Sequence, residues 1–231
     1  MFFPFFDPTM IILIPGLIFA LYAQSKVKST FARYSRVASH SGMTGAEVAE
    51  RLMRSNGIND VKIERIGTTL GDHYDPRARV LRLSPEVYGS NSLAALGVAA
   101  HETGHAIQDQ VGYSPLRIRA SLVPVAQLGS NLAVPLLIIG MLFSSPMLMN
   151  IGIYTFAAVV LFQLVTLPVE FNASNRAIAL LEGNGFVSGQ EAVNTKKVLD
   201  AAALTYLAGA LTAVLTLVRL LLLSRMYGGD D

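Results

Sequence analysis

Four long apolar stretches alternate with polar, patterned segments along this chain. The apolar stretches are Pro8 to Ala23, Ala120 to Phe143, Met147 to about Val169, and Ala201 to Leu223. Crossing a hydrocarbon core about 30 Å thick takes about 20 apolar residues in a helix, and this pattern predicts four membrane helices. The first stretch is short, but Phe2, Phe3, Phe5 and Phe6 precede it and suit the interface. No Lys or Arg precedes it, whereas Pro4 and Asp7 do, so the basic leader of a signal peptide is missing and a retained anchor is expected. Pro124 and Pro135 lie within the second stretch, where neighbouring helices can satisfy the freed carbonyls. Ser144-Ser145-Pro146 is a short uncharged turn to the third.

Between the first and second stretches the period changes. Thr44-Gly-Ala-Glu47 has the form of a capping box, and Val48, Ala49, Leu52 and Met53 follow at helical spacing until Asn56-Gly57. Val61 to Ile66 alternates like a strand with one buried face, and Arg79 to Leu83 reads as a second strand. Gly71-Asp-His-Tyr-Asp-Pro76 between them is turn-rich. Ser84-Pro85-Glu86 should open a short helix, with Ser84 as N-cap. A longer apolar helix then starts at Asn91 or Ser92 and runs to about Gln110. Strands just before such a helix often leave an edge to which an extended peptide can add. After the third apolar stretch Pro168 can open another helix, continuing to Gly183, and a helix from about Gln190 leads into the fourth stretch.

These readings divide the chain into an anchor (1–25), a soluble α+β portion with a short β-hairpin or sheet (26–119), a membrane hairpin (120–169), a returning segment (170–200) and a last membrane helix (201–231). The fold class is a mainly α membrane protein.

Composition fits this division. Hydrophobic residues make up 52% and charged residues only 15%, against about 25% in soluble domains. The net charge of +2 is too small and dispersed for a nucleic-acid footprint. Lys26, Lys28, Arg33, Arg36, Arg117 and Arg119 flank membrane ends and the Ser144 turn has no charge, so the soluble portion is expected in the cytoplasm. Arg219, near the end of the last stretch, can snorkel. The chain has no cysteine, so a metal site must use His and carboxylate, a donor set that suits a catalytic rather than a structural zinc.

The candidate chemistry lies in the helix after the second strand. His101 and His105 in His101-Glu-Thr-Gly-His105 are four apart, so both imidazoles leave one helix face and can reach one metal ion. Glu102, about 100° further round, can reach a water on that ion and take its proton. This is the H-E-x-x-H pattern of zinc-dependent peptidases. The apolar flanks Leu93, Ala94, Leu96, Val98, Ala99, Ala100, Ala106 and Ile107 argue against solvated histidines, because buried polar side chains need partners. Two membrane crossings separate His105 from Glu170, which returns Glu170 to the same side as a candidate third ligand. Glu86, Glu182 and Asp109 are its rivals, Asp109 being badly placed one turn beyond His105 on the same helix. His73 and Tyr74 could assist as oxyanion donors or could simply belong to the turn.

The chain resembles the YugP-type membrane zinc metallopeptidases of bacteria over nearly its whole length. The resemblance rests on Gly71-Asp-His-Tyr-Asp-Pro76, Ala100-His-Glu-Thr-Gly-His-Ala106 and Pro168-Val-Glu-Phe-Asn-Ala-Ser-Asn-Arg-Ala177. Its layout is similar to that of the heat-shock and prenyl-protein membrane metallopeptidases, which carry a glutamate ligand in a Glu-Phe-x-Ala-Asp-x-x-Ala pattern. That pattern stands here as Glu170 to Ala177, with Ser174 where the relatives have an aspartate that orients a histidine ligand. The resemblance implies a zincin-like soluble domain of gluzincin type in the bacterial cell membrane. One zinc ion would be held by His101, His105 and Glu170, with Glu102 as general base in cleavage of a protein or peptide substrate. A zinc-binding scaffold or adaptor without chemistry is the alternative. An intramembrane site-2-type protease is a third, opposed by the few apolar residues before His101 and by Asp109 just after the motif. Substrate preference, membrane partners and oligomeric state are not encoded in any motif.

Overall fold

The computed structural model describes residues 7–69 and 71–227; the four phenylalanines before Asp7 lie outside the described residues. The protein is a mainly α membrane protein with a small sheet. A 3-10 helix, Pro8–Leu13, leads into α1 (Ile14–Tyr34). There follow α2 (Gly45–Ser55), β1 (Lys62–Arg65), β2 (His73–Asp75), β3 (Val80–Leu83), α3 (Pro85–Tyr88), α4 (Leu93–Gln110), α5 (Ser114–Leu142), α6 (Pro146–Gly183) and α7 (Gln190–Tyr227). Four helical segments are long and apolar enough to span a bilayer: Pro8–Tyr34, Ser114–Leu142, Pro146–Gly183 and Gln190–Tyr227. The chain forms two compact units.

The first unit comprises residues 24–116 and 168–204. Its centre is α4, in which fourteen of eighteen residues are buried. On one side Leu93, Leu96 and Ala100 pack with Val48 and Leu52 of α2, Ala177 and Leu181 of α6 and Leu199 of α7. On the other side Ala95, Ala99, Ala106 and Ile107 pack with Leu81 and Leu83 of β3 and Val87 of α3. The capping box of α2 is formed in both directions: the Thr44 hydroxyl accepts from the Glu47 N–H, and the Glu47 carboxylate accepts from the Thr44 N–H.

The sheet has the order β1-β3-β2, with β1 parallel and β2 antiparallel to β3. The turn-rich reading of residues 71–76 therefore needs correction, since His73–Asp75 is a strand. Its two aspartates serve other ends. Asp72 accepts from the Ser84 N–H and hydroxyl (2.7 and 3.0 Å), and Asp75 caps the turn that follows by accepting from the N–H groups of Arg77 and Ala78. The reversal thus falls at residues 76–79, closed by Arg79 at φ +50°. Ser84 occupies the N-cap of α3, but its hydroxyl goes to Asp72 and does not cap the helix.

The second unit contains the described residues up to Ala23, residues 117–167 and residues from 205 onward. Small residues bring α5 and α6 together. A Cβ on Gly129 would lie 2.2 Å from the Thr155 carbonyl oxygen, a contact that only glycine permits. Large side chains such as Leu17, Ile18, Leu21, Leu128 and Tyr154 point outward, as lipid-facing positions do. Arg219 does not snorkel. Its guanidinium donates to Asp7 at 2.9 Å and to the Thr9 hydroxyl at 3.1 Å, and Asp7 in turn accepts from the Thr9 N–H. The partner is available because Asp7 is the N-cap of the 3-10 helix.

α6 also differs from expectation. It runs through Pro168 without a break, so Pro168 sits inside a helix and does not open one. A mid-helix proline loses one backbone bond, a loss that packed or membrane helices tolerate better than solvated ones.

Candidate metal centre

α4 and the C-terminal part of α6 approach closely at Gly104. A Cβ there would lie 2.9 Å from the Ala173 carbonyl oxygen, a backbone atom with nowhere to retreat. That closeness sets the Glu170 carboxylate against both histidines of α4. The Glu170 Oε2 is 3.2 Å from the His101 Nε2 and 3.5 Å from the His105 Nε2. The two rings meet edge to face, 4.8 Å between centroids. Among the described residues these three form a group able to hold a metal ion, with one donor atom from each and all three within 4.8 Å of one another. Glu170 is 3% exposed and His105 8%.

The far side of each ring has its own partner. Gln108 is fully buried, and its amide nitrogen donates to the Val169 carbonyl at 2.8 Å and to Asn172 Oδ1 at 3.0 Å. Both of its donors are thereby used, so the oxygen is what faces His105 Nδ1, at 2.9 Å. An acceptor there requires Nδ1 to carry the proton and leaves Nε2 with a lone pair directed at the cluster. Asn172 is itself held by Arg176, whose Nε donates to Oδ1 at 2.8 Å. At His101 the partner of Nδ1 is the Ser174 hydroxyl, 3.1 Å away. The donor set, two imidazole nitrogens and one carboxylate oxygen with both rings oriented from behind, fits a zinc ion.

Glu102 lies beside the cluster, 9% exposed, and its Oε2 accepts from the Tyr74 N–H at 3.1 Å. Burial raises its pKa; the neighbouring Glu170 and Asp72 add to the rise, and the two histidines oppose it. Burial lowers the pKa of His105, but the Glu170 and Glu102 carboxylates outweigh it and the net shift is upward.

The other candidates are placed elsewhere. The Tyr74 hydroxyl donates to Asp109 at 2.9 Å, so Tyr74 offers the centre its main chain and not its phenol. His73 is exposed, with Nδ1 on the Gly71 carbonyl and Nε2 facing Arg82. Asp109 is taken by Tyr74 and Arg79, Glu86 bonds Thr69, and Glu182 is exposed. Sequence reasoning missed Gln108, Arg176, the Tyr74 N–H and the role of Gly104. A glutamine three residues after the second histidine, within an otherwise apolar helix, is the signal that could have flagged the first of these.

Comparison with known proteins agrees with the site. Residues 9–225 match the model of a family described as "Putative neutral zinc metallopeptidase". The chain is 46% identical over 218 residues to "Putative membrane protease YugP" of Bacillus subtilis (strain 168), an alignment that covers 94% of this chain and 96% of the relative. No solved structure matches. A chain matched along nearly its whole length, with four apolar helices and a buried two-histidine, one-glutamate cluster, belongs to the neutral zinc metallopeptidase family.

Proposed function

We propose that this protein is an integral-membrane, zinc-dependent endopeptidase, with His101, His105 and Glu170 as the metal ligands and Glu102 as the general base. The observation that carries the proposal is the convergence of two Nε2 atoms and one buried carboxylate oxygen, with both Nδ1 atoms already engaged. When bound, zinc supplies Lewis acidity toward the scissile carbonyl and lowers the pKa of a coordinated water to about 7. Glu102 accepts the proton of the attacking water and returns it to the leaving nitrogen. Its raised pKa brings it closer to working pH, where one group serves both transfers well. The Tyr74 N–H fixes the carboxylate in place. β2 lies at the sheet edge beside α4, so an extended substrate can add to it and present a peptide bond to Glu102.

The basic residues at membrane ends and the charge-free Ser144 turn support a cytoplasmic centre. The cysteine-free sequence makes this simple to test: single cysteines at Ser145 and at Glu182 should label from opposite sides of inverted vesicles. Labelling from the same side would refute the topology. For the chemistry, Glu102→Gln should retain zinc and lose cleavage of unfolded protein substrates by about 100-fold or more. Cleavage at the wild-type rate would remove Glu102 from its role.

A further inference from the structure

A second polar cavity lies in the first unit, apart from the metal centre, between the C-terminal part of α1 and the N-terminal part of α7. On α1 it is lined by Lys26, Ser29, Thr30, Arg33 and Tyr34. Their spacing of i, i+3, i+4, i+7 and i+8 is one continuous helix face. On α7 it is lined by Lys197, Asp200, Ala201 and Leu204, again one face. It is open to solvent, with a volume of about 390 Å³. The Tyr34 hydroxyl donates to Asn194 Oδ1 at 3.3 Å and ties the helices together, and Lys197 reaches the same oxygen at 3.2 Å. The Arg33 guanidinium lies 5.5 Å over the Tyr34 ring.

The charges in this cavity do not cancel. Asp200 is met by Lys196 at 2.6 and 2.8 Å, a lysine outside the lining. Lys26, Arg33 and Lys197 have no carboxylate partner among the described residues. Three cations around one small space suit a phosphate ester, whose oxygens accept several charge-assisted bonds at once. The cavity's position on the chain selects the source. The apolar stretch of α1 ends just before Lys26 and that of α7 begins at Ala201, so the cavity lies where both helices leave the bilayer. Ala201 and Leu204 give it an apolar floor. Basic pockets between membrane helices at this level bind anionic headgroups.

We propose that this cavity is a binding site for the phosphate headgroup of an anionic phospholipid. The site rests on the membrane reading of the fold and not on the proteolytic one. Bound there, the lipid bridges the two helices through Lys26 and Arg33 of α1 and Lys197 of α7.

The test uses the full chain in neutral detergent, probed by native mass spectrometry and thermal unfolding with short-chain phosphatidylglycerol, short-chain phosphatidylcholine or inorganic phosphate. Phosphatidylglycerol should be retained as an adduct and raise the unfolding midpoint; phosphatidylcholine and inorganic phosphate at equal concentration should do so far less. The triple variant Lys26→Gln/Arg33→Gln/Lys197→Gln should lose at least tenfold in phosphatidylglycerol affinity. Arg33→Gln alone, a change at an exposed side chain that leaves the fold intact, should lose about threefold. The control Arg54→Gln/Lys62→Gln, which removes two cations elsewhere in the same unit, should leave affinity unchanged. Equal affinity in the triple variant and wild type would overturn the site. Protection by inorganic phosphate equal to that by phosphatidylglycerol would overturn the lipid source, and equal binding of phosphatidylcholine would overturn the anionic selectivity.

Discussion

Gln108 offers the sharpest way to separate orientation of a ligand from packing around it. Gln108→Leu keeps nearly the same volume and removes three hydrogen bonds, to His105 Nδ1, the Val169 carbonyl and Asn172. Asn172 keeps Arg176 as a partner and the Val169 carbonyl keeps its backbone bond within α6, but the His105 N–H is orphaned in the interior. A buried orphan costs about 1–3 kcal/mol, so the metal-free variant should be about 1–3 kcal/mol less stable. Freed from its acceptor, His105 can change tautomer or turn. Loss of such a partner weakens metal affinity by about 10–100-fold. Gln108→Glu separates the two effects. It keeps an acceptor for His105 and loses both donors, so stability should fall while zinc affinity stays within about threefold of wild type. Zinc affinity is read by competition with a chromogenic chelator, and stability by thermal unfolding in detergent after metal removal. If zinc affinity in Gln108→Leu stays within twofold of wild type, or falls equally in both variants, Gln108 does not orient the ligand.

Further expectations test other parts of the account. Gly104→Ala places a methyl against the Ala173 carbonyl and forces α4 and α6 apart, so zinc affinity should fall at least tenfold, with a stability loss of about 1–3 kcal/mol; unchanged zinc binding would refute close approach as the role of Gly104. Glu102→Gln should stabilise the metal-free protein. The raised pKa makes the ionised carboxylate a cost that is absent below the ordinary value near pH 4 and grows as pH climbs to the folded-state value, about 1.4 kcal/mol per pH unit between the two; a stability gap that shrinks as pH rises would contradict this. Asp7→Asn leaves Arg219 half-paired, and its unfolding midpoint should drop. Asp7→Asn combined with Arg219→Gln should cost less than the sum of the single changes, and simple additivity would show that the pair does not interact.

Much of the fold could be read from the chain because its signals are local. The Thr44–Glu47 capping box needs only residues three apart, and the two histidines need only helical spacing. The four spans follow from length and apolarity. Glu170 emerged from counting crossings, a topological argument that needs no side-chain geometry. The features that escaped all depend on distant partners. Gln108 acts through Val169 and Asn172, some sixty residues away, and nothing near Gln108 in the chain encodes that. β2 looked like a turn because aspartate is a turn former, yet Asp72 is engaged by Ser84 across the sheet. Pro168 looked like a helix start because that rule describes solvated helices. Arg219 looked free to reach the interface because its partner, Asp7, lies at the opposite end of the sequence. The motif around Glu170 singled out Ser174 without its contact, and only the structure shows its hydroxyl at His101 Nδ1.

Zinc K-edge X-ray absorption on the purified full-length protein tests the central claim most directly. Wild type should show one zinc per chain, with two imidazole nitrogens at about 2.0–2.1 Å and oxygen at about 2.0–2.2 Å. Glu170→Ala should lose the ion or bind it at least 100-fold more weakly, because a protein-borne oxygen has gone. Full zinc occupancy, unchanged affinity and an unchanged spectrum in Glu170→Ala would show that this carboxylate does not complete the site.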